Sequence, residues 1–315
     1  MRQSRASVAA LNAAEADTFR GPVGGASRRC RILTPLETME VIAVADADED
    51  AGAATPAPLS FETLDGTATQ WLRTIAANAV SPGTEPPTVP AQYAYVETIN
   101  WDLATRVGGK HVTSAVLPQV RQVWRAADGS GRVRITGGPV QFPDANGQKE
   151  WVRAGRPAIP DTDIAEPPGG IAAMFPERLP TDTNALTAIL HAGHPTDLGP
   201  AETLVAIADL YREQDPAAGT RHAILVLLAD VPGLSLLGRT NDRLGRPGIA
   251  IAADSDMSGL PTRYIFVFDE HTGRLLGQEQ ILTTTAGDLN VAIPSTISYT
   301  AFAKATVTDS SEQTP

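Results

Sequence analysis

The sequence predicts an α+β domain in which a curved antiparallel sheet, a half-barrel meander, packs on helices behind a disordered N-terminal tail. Three features carry this. The run Ala223–Ala229 is apolar on all sides and stops at Val231-Pro232-Gly233. Alternating strand-like runs follow it, broken by Asp242-Arg243-Leu244-Gly245 and by Asp269-Glu270-His271-Thr272-Gly273. A second alternating set lies earlier, around the turn Asp128-Gly129-Ser130-Gly131. A helix apolar all round belongs in a core, and short alternating runs joined by Gly- and Asp-rich turns read as hairpins.

Residues 1–60 are rich in Ala, Gly, Pro and acid, and they contain few large apolar side chains. Such a stretch buries too little to offset its ordering entropy, so a tail is expected, with the lone Cys30 inside it. One domain is expected over 61–308, with a further tail at 309–315.

Leu64, Ala68, Trp71, Leu72, Ile75 and Ala79 recur at helical spacing, with Ser60 as N-cap and Ser81-Pro82-Gly83 as the stop. Gln92–Ile99, Val116–Ala126 and Arg132–Thr136 read as strands of a first meander, with Pro118 near a strand start or a bulge. Residues 137–170 are Pro/Gly-rich and aperiodic and read as one long loop, the kind that often serves function. Helices follow after the Thr181/Asp182 cap, over Glu202–Glu213 and over Ala217–Asp230. Ser235–Arg239, Gly248–Ala253, Tyr264–Phe268, Arg274–Thr283 and Ile297–Val307 form the second meander. Its last strand carries Ser298 and Thr300, as a solvated face or an edge would.

The chain has 315 residues, 25 basic and 36 acidic, for a net charge of -11. That balance argues against nucleic acid, whose phosphates demand a basic surface. With one cysteine, neither an internal disulfide nor a thiolate metal cluster can form. No apolar run reaches the ~18–20 residues of a membrane helix, and no export signal is legible.

Chemistry is sparse. Phosphate-binding glycine motifs are absent from the sequence. Ser235, in Gly233-Leu234-Ser235-Leu236-Leu237-Gly238, has the wrong spacing and setting for a nucleophile elbow. His191, His194 and Asp197 are the one weak metal set, since two imidazoles and a carboxylate close in sequence can share an ion. A histidine at a helix end also simply suits the dipole. Asp269 and Glu270 offer paired carboxylates but sit where turns recruit Asp. Asp242 and Arg246 read as an exposed local ion pair. Arg121, Arg125, Arg132 and Arg134 gather near one hairpin, as a solvated face or an acceptor for an acidic partner. No catalytic residue and no cofactor site is assigned.

An ordered set of motifs adds a resemblance. Gln92-Tyr93-Ala94-Tyr95, Arg121-x-x-Trp124-x-x-x-Asp128-Gly129, Leu179-Pro180-Thr181-Asp182, Leu228-Ala229-Asp230-Val231-Pro232-Gly233, Asp242-x-x-Gly245-Arg246-x-Gly248 and Phe268-Asp269-Glu270-x-Thr272-Gly273-x-Leu275-Leu276-Gly277 occur in that order. Over roughly 62–308 the chain resembles a functionally uncharacterised actinobacterial family of usually membrane-anchored proteins. Their extracytoplasmic domain is similar to lipoprotein-carrier and sigma-factor-regulator domains. The resemblance implies a curved sheet wrapping helices, a cell-envelope setting and possible membrane association, and it implies no catalytic residues. The family's membrane helix, expected before residue 62, has no counterpart in this sequence. The resemblance therefore points to an extracytoplasmic, cell-envelope setting, while the absence of signal and anchor points to the cytoplasm.

The resulting expectation is a non-catalytic domain holding an apolar small molecule or a protein segment on the concave face of its sheet. The alternatives are a hydrolase with a lid at 137–170, in which His191, His194 or Asp269 would converge, and a structural subunit that pairs through a sheet edge.

Overall fold

The structure is a computed structural model that describes residues 55–80, 92–108, 111–142, 145–153, 155, 160–289 and 291–315. Cys30, most of the expected tail and the Pro-rich link 82–90 lie outside the described residues.

Helix α1 (Ala68–Ala79) starts at Thr67, not at Ser60. Thr67 and Gln70 form a capping box in which each side chain accepts from the other's backbone N–H. Strands β1 (Tyr93–Gly108), β2 (His111–Arg125) and β3 (Gly131–Gly137) follow. The stretch 137–170, expected as a loop, instead carries helix α2 (Ala145–Arg153) and strand β4 (Thr162–Glu166). Of Trp151 and Val152, the two residues expected to pin this stretch to the body, Trp151 is buried and Val152 is exposed. Helix α3 (Thr183–His191) is capped by Asp182, which accepts from the Ala185 N–H. Helices α4 (Pro200–Glu213) and α5 (Ala218–Asp230) complete the helical layer. Strands β5 (Ser235–Asn241), β6 (Pro247–Ser255), β7 (Thr262–Phe268), β8 (Leu275–Leu282) and β9 (Ser295–Thr308) close the chain.

All nine strands lie in one antiparallel sheet of order β4-β3-β2-β1-β9-β8-β7-β6-β5, not closed into a barrel. The two meanders are welded by β1 pairing with β9, with a register shift at Glu97/Thr98. β9 is therefore central, not an edge. Pro118 sits well inside β2, opposite Trp101. Its imide nitrogen faces the β3 side, where pairing lapses between the Gln119–Gly137 pair and the isolated Val116–Gln141 bridge. The missing donor falls in that gap, so the proline costs no ladder bond. At Gly131, whose φ is +155°, a Cβ would lie 1.8 Å from the Trp124 carbonyl oxygen, so only glycine allows β2 and β3 to meet there.

Helices α1, α3, α4 and α5 cover one sheet face. Ile224, Leu225 and Leu228 of α5 join Leu72 and Ile75 of α1, Leu204 and Ile207 of α4, and Ile249, Ile251, Phe266 and Phe268 of the sheet. Each such aliphatic side chain favours folding by about 1.5–3 kcal/mol. Arg221 is 1% exposed yet donates to the Pro216 and Thr272 carbonyls, tying the start of α5 to the β7–β8 turn.

On the opposite, outer face lies a smaller core of Ala250, Ala252, Ile265, Val267, Leu276 and Ile281. Leu59 and Phe61 pack on it. Residues 55–62, mostly expected as tail, run across this face as an extended strap. The Thr55 hydroxyl, Ala57 carbonyl and Ser60 carbonyl accept from Ser295, Arg243 and Thr240. Glu62 then pairs with Arg239 along β5.

Candidate functional site

His194 is the buried centre of a polar seam, but its partners are not those the spacing suggested. The His191 ring Nδ1 lies 2.8 Å from the His194 carbonyl, which can only accept, so this nitrogen carries its proton. Asp197 lies in a 3-10 turn, Thr196–Leu198, and is exposed. His194 turns instead toward α4: Nδ1 is 2.9 Å from Glu202 Oε1 and Nε2 is 3.6 Å from Asp209 Oδ2. Glu202 and Asp209 are two helical turns apart and share a face, which the His194 ring bridges. Among the described residues, His194 Nε2 has no hydrogen-bond partner. Among the described residues, no group of three His, Cys, Asp or Glu side chains is placed to hold a metal ion.

The seam continues across the sheet junction. Asp209 accepts from Arg212 Nη1 at 2.6 Å, and Arg212 Nη2 donates to Thr300 Oγ1 at 3.0 Å. Thr300 in turn donates to Asn100 Oδ1 at 3.0 Å, and Asn100 donates to Thr98 Oγ1 at 3.0 Å. Beside them Ser298 Oγ donates to Asp102 Oδ1 at 2.7 Å. Burial pushes the Asp102 carboxyl pKa up, against the opposing pull of the Ser298 hydroxyl and the Arg212 charge. The signal was present in the sequence as polar residues at period two in both β1 and β9. In β9 alone it suggests a solvated face or an edge, because the pairing partner is not legible in the sequence.

Chemically the seam is closed on itself. Ser298 faces a carboxyl with no imidazole between them, so it lacks the positioned base that activates a serine. Asp269 belongs to another element altogether: its Oδ1 accepts from the His271 and Thr272 N–H groups in the β7–β8 turn. Glu270 forms a fork with Arg239 at 2.8 Å for both bonds, and that guanidinium holds its carboxyl below the usual range. Ser235 Oγ donates to the Ala252 carbonyl at 3.2 Å. His222 lies 2.9 Å from the Ala76 carbonyl, joining α5 to α1. The expected exposed pair Asp242–Arg246 is instead buried on the carboxylate side. Asp242 accepts from the Leu244 and Arg246 N–H groups and from the Arg246 guanidinium, which also reaches the Leu276 and Phe302 carbonyls. On the outer face, a cavity lined by Leu59, Arg243, Glu279 and Thr300 measures about 10 Å³, room for at most one water.

Strand alternation divides the four arginines. Arg132 and Arg134 project to the outer face, whereas Arg121 and Arg125 take the helix face, where Arg125 lies 3.8 Å from Glu213. The outer pair belongs to an aromatic patch. Trp124 and Tyr95 have ring centroids 4.9 Å apart, and the Arg134 guanidinium lies 5.4 Å over Trp124. Asp163 of β4 accepts from both arginines. Glu97 accepts from Tyr95 Oη at 2.6 Å and Gln122 Nε2 at 2.7 Å. Burial and the neighbouring Glu97 push the Tyr95 phenol pKa well up. Residues 309–315, expected as a tail, reach this patch: Trp124 Nε1 donates to the Gln313 carbonyl at 2.7 Å, and Arg132 pairs with Glu312.

No helix among the described residues is long and apolar enough to cross a membrane. Comparison of the chain with protein-family models and with curated proteins gives no match.

Proposed function

We propose that this is a non-catalytic binding domain whose sheet holds protein segments. One observation supports it above the others. The outer face already carries two segments of its own chain, the strap 55–62 and the turn 310–313, held through backbone carbonyls and a few charged side chains. A surface that orders polar chain in this way offers what peptide recognition uses: main-chain partners, aromatic contacts and charge. The apolar-ligand form of this reading needs room on the helix-bearing face. There the side chains of α1, α3, α4 and α5 fill the space over β6 and β7. The scattered positions of His194, Asp269 and Ser298 weigh against the hydrolase reading.

A peptide array probed with the chain, followed by hydrogen exchange on the bound complex, tests this reading. Protection confined to outer-face strands supports it. Lipid retained above a denatured control in native mass spectrometry would move the ligand to the helix face. Ester turnover lost on His194→Ala would establish an enzyme instead. The ordered motifs shared with envelope proteins support, by resemblance, a setting in the cell envelope. A second reading rests on β4, whose only strand partner among the described residues is β3. Its outer edge offers unpaired backbone groups for a subunit contact, and light scattering after size exclusion tests for self-association through it.

A further inference from the structure

We infer that Tyr95, Trp124, Arg132 and Arg134 form a recognition site for an acidic, turn-forming segment of a partner protein, which residues 310–313 of this chain occupy as a stand-in. The inference rests on the binding reading above and gives it a site and a ligand chemistry.

The receptor side is rigid. Tyr95 and Trp124 face each other as a cross-strand pair on β1 and β2 and are both fully buried. Glu97, Gln122 and Asp163 fix the Tyr95 hydroxyl and both arginines. Tryptophan, tyrosine and arginine are the side chains that concentrate binding energy at interfaces.

The occupant is weakly held by comparison. Asp309-Ser310-Ser311-Glu312-Gln313-Thr314-Pro315 contains no large apolar side chain, and residues 312–315 are all exposed. Among the described residues it holds the patch through one carbonyl on Trp124 and one carboxylate on Arg132. The Glu312 side chain is 75% exposed. Its other bonds are internal, with Ser310 accepting from Glu312 N–H, Gln313 N–H and Thr308 Oγ1. Segments with few buried contacts open at low free energy. When this one lifts, the buried Trp124 N–H and one side of Arg132 are left in need of an acceptor and an anion. A peptide supplying a glutamate and the next residue's carbonyl restores both, and a chain of the same chemistry with added apolar contacts would displace 310–313.

The test uses the intact chain, a chain ending at Thr308, and a synthetic peptide of residues 308–315, read by calorimetry and by the Trp124 indole N–H resonance. The shortened chain is expected to bind the peptide and return the Trp124 signal to its intact position. Glu312→Arg in the peptide, or Arg132→Gln in the chain, should weaken binding by about tenfold. The intact chain should bind the peptide more weakly, because its tethered segment competes at high effective concentration.

A folded shortened chain that ignores the peptide, or binding that Arg132→Gln leaves unchanged, overturns the site. Should the shortened chain fail to fold, full-length Glu312→Arg decides. The inference requires that variant to keep its fold while its Trp124 N–H exchanges faster and responds to peptide; an unmoved Trp124 signal overturns it. Array peptides that bind elsewhere on the sheet with Trp124 unmoved overturn this site and leave the broader binding reading standing. Dimerisation of the intact chain by exchange of 309–315 overturns the partner assignment in favour of a second copy.

Discussion

Thr300 of β9 lies directly opposite Asn100 of β1, and its hydroxyl donates to the Asn100 side-chain carbonyl at 3.0 Å. The same oxygen accepts from Arg212 at 3.0 Å and from Gln278 at 3.4 Å, so its one donor and two acceptor sites are all used. This pair sits where the two meanders meet, and it makes the junction polar and saturated.

Thr300→Val keeps the shape and removes the hydroxyl. It leaves Asn100 Oδ1 and Arg212 Nη2 each short of a buried partner, and a loss of about 2–3 kcal/mol is expected. Urea unfolding of the variant checks this; a loss under about 0.5 kcal/mol would mean that water replaces the hydroxyl.

Asp242→Ala removes the carboxylate that organises the β5–β6 turn and leaves Arg246 unpaired against β8 and β9. Breaking such a buried pair costs about 3 kcal/mol or more. Arg73→Ala breaks the Arg73–Asp230 pair, whose side chains are 63% and 65% exposed. It should stay within about 0.5 kcal/mol of the parent in the same assay.

Glu270 has a depressed pKa because Arg239 grips its ionised form. For a depressed carboxyl, the stabilisation is complete above the unfolded value near 4.5 and is lost as pH falls through the folded value. Glu270→Gln should therefore be less stable than the parent at neutral pH, by about 1 kcal/mol. The two stability curves should converge as pH falls through the depressed folded value. Parallel curves down to low pH would mean that the Glu270 charge contributes nothing.

His194→Ala strips Glu202 of the ring nitrogen lying 2.9 Å away and should lower stability by about 1–3 kcal/mol. Added zinc should leave the melting temperature of the parent unchanged, since a native-state ligand always raises it. A zinc-dependent rise that His194→Ala abolishes would restore the metal reading of this histidine.

Local rules made much of the architecture legible. The apolar all-round run at Ala223–Ala229 can only be a core helix, the Asp182 cap and Gly-rich turns mark their elements, and period-two alternation marks the strands. These depend on neighbours within a few residues, so the chain states them directly. Trp151 was legible as an anchor, but the elements α2 and β4 around it were not, because Pro and Gly flanks mask short elements and β4 depends on pairing with β3.

The site followed the same division. His194 and the arginines were visible as residue types, but their partners stand far off in sequence: Arg212 meets Thr300 across 88 positions, and Trp124 meets Gln313 across 189. The alternation of β2 and β3 assigned each arginine to a face only once the register was known. Composition and periodicity determined that a helix would lie on an antiparallel sheet. The pairing of β1 with β9 decided which polar side chains were buried together, because a single choice of strand neighbour turned an apparent solvated edge into the centre of the molecule.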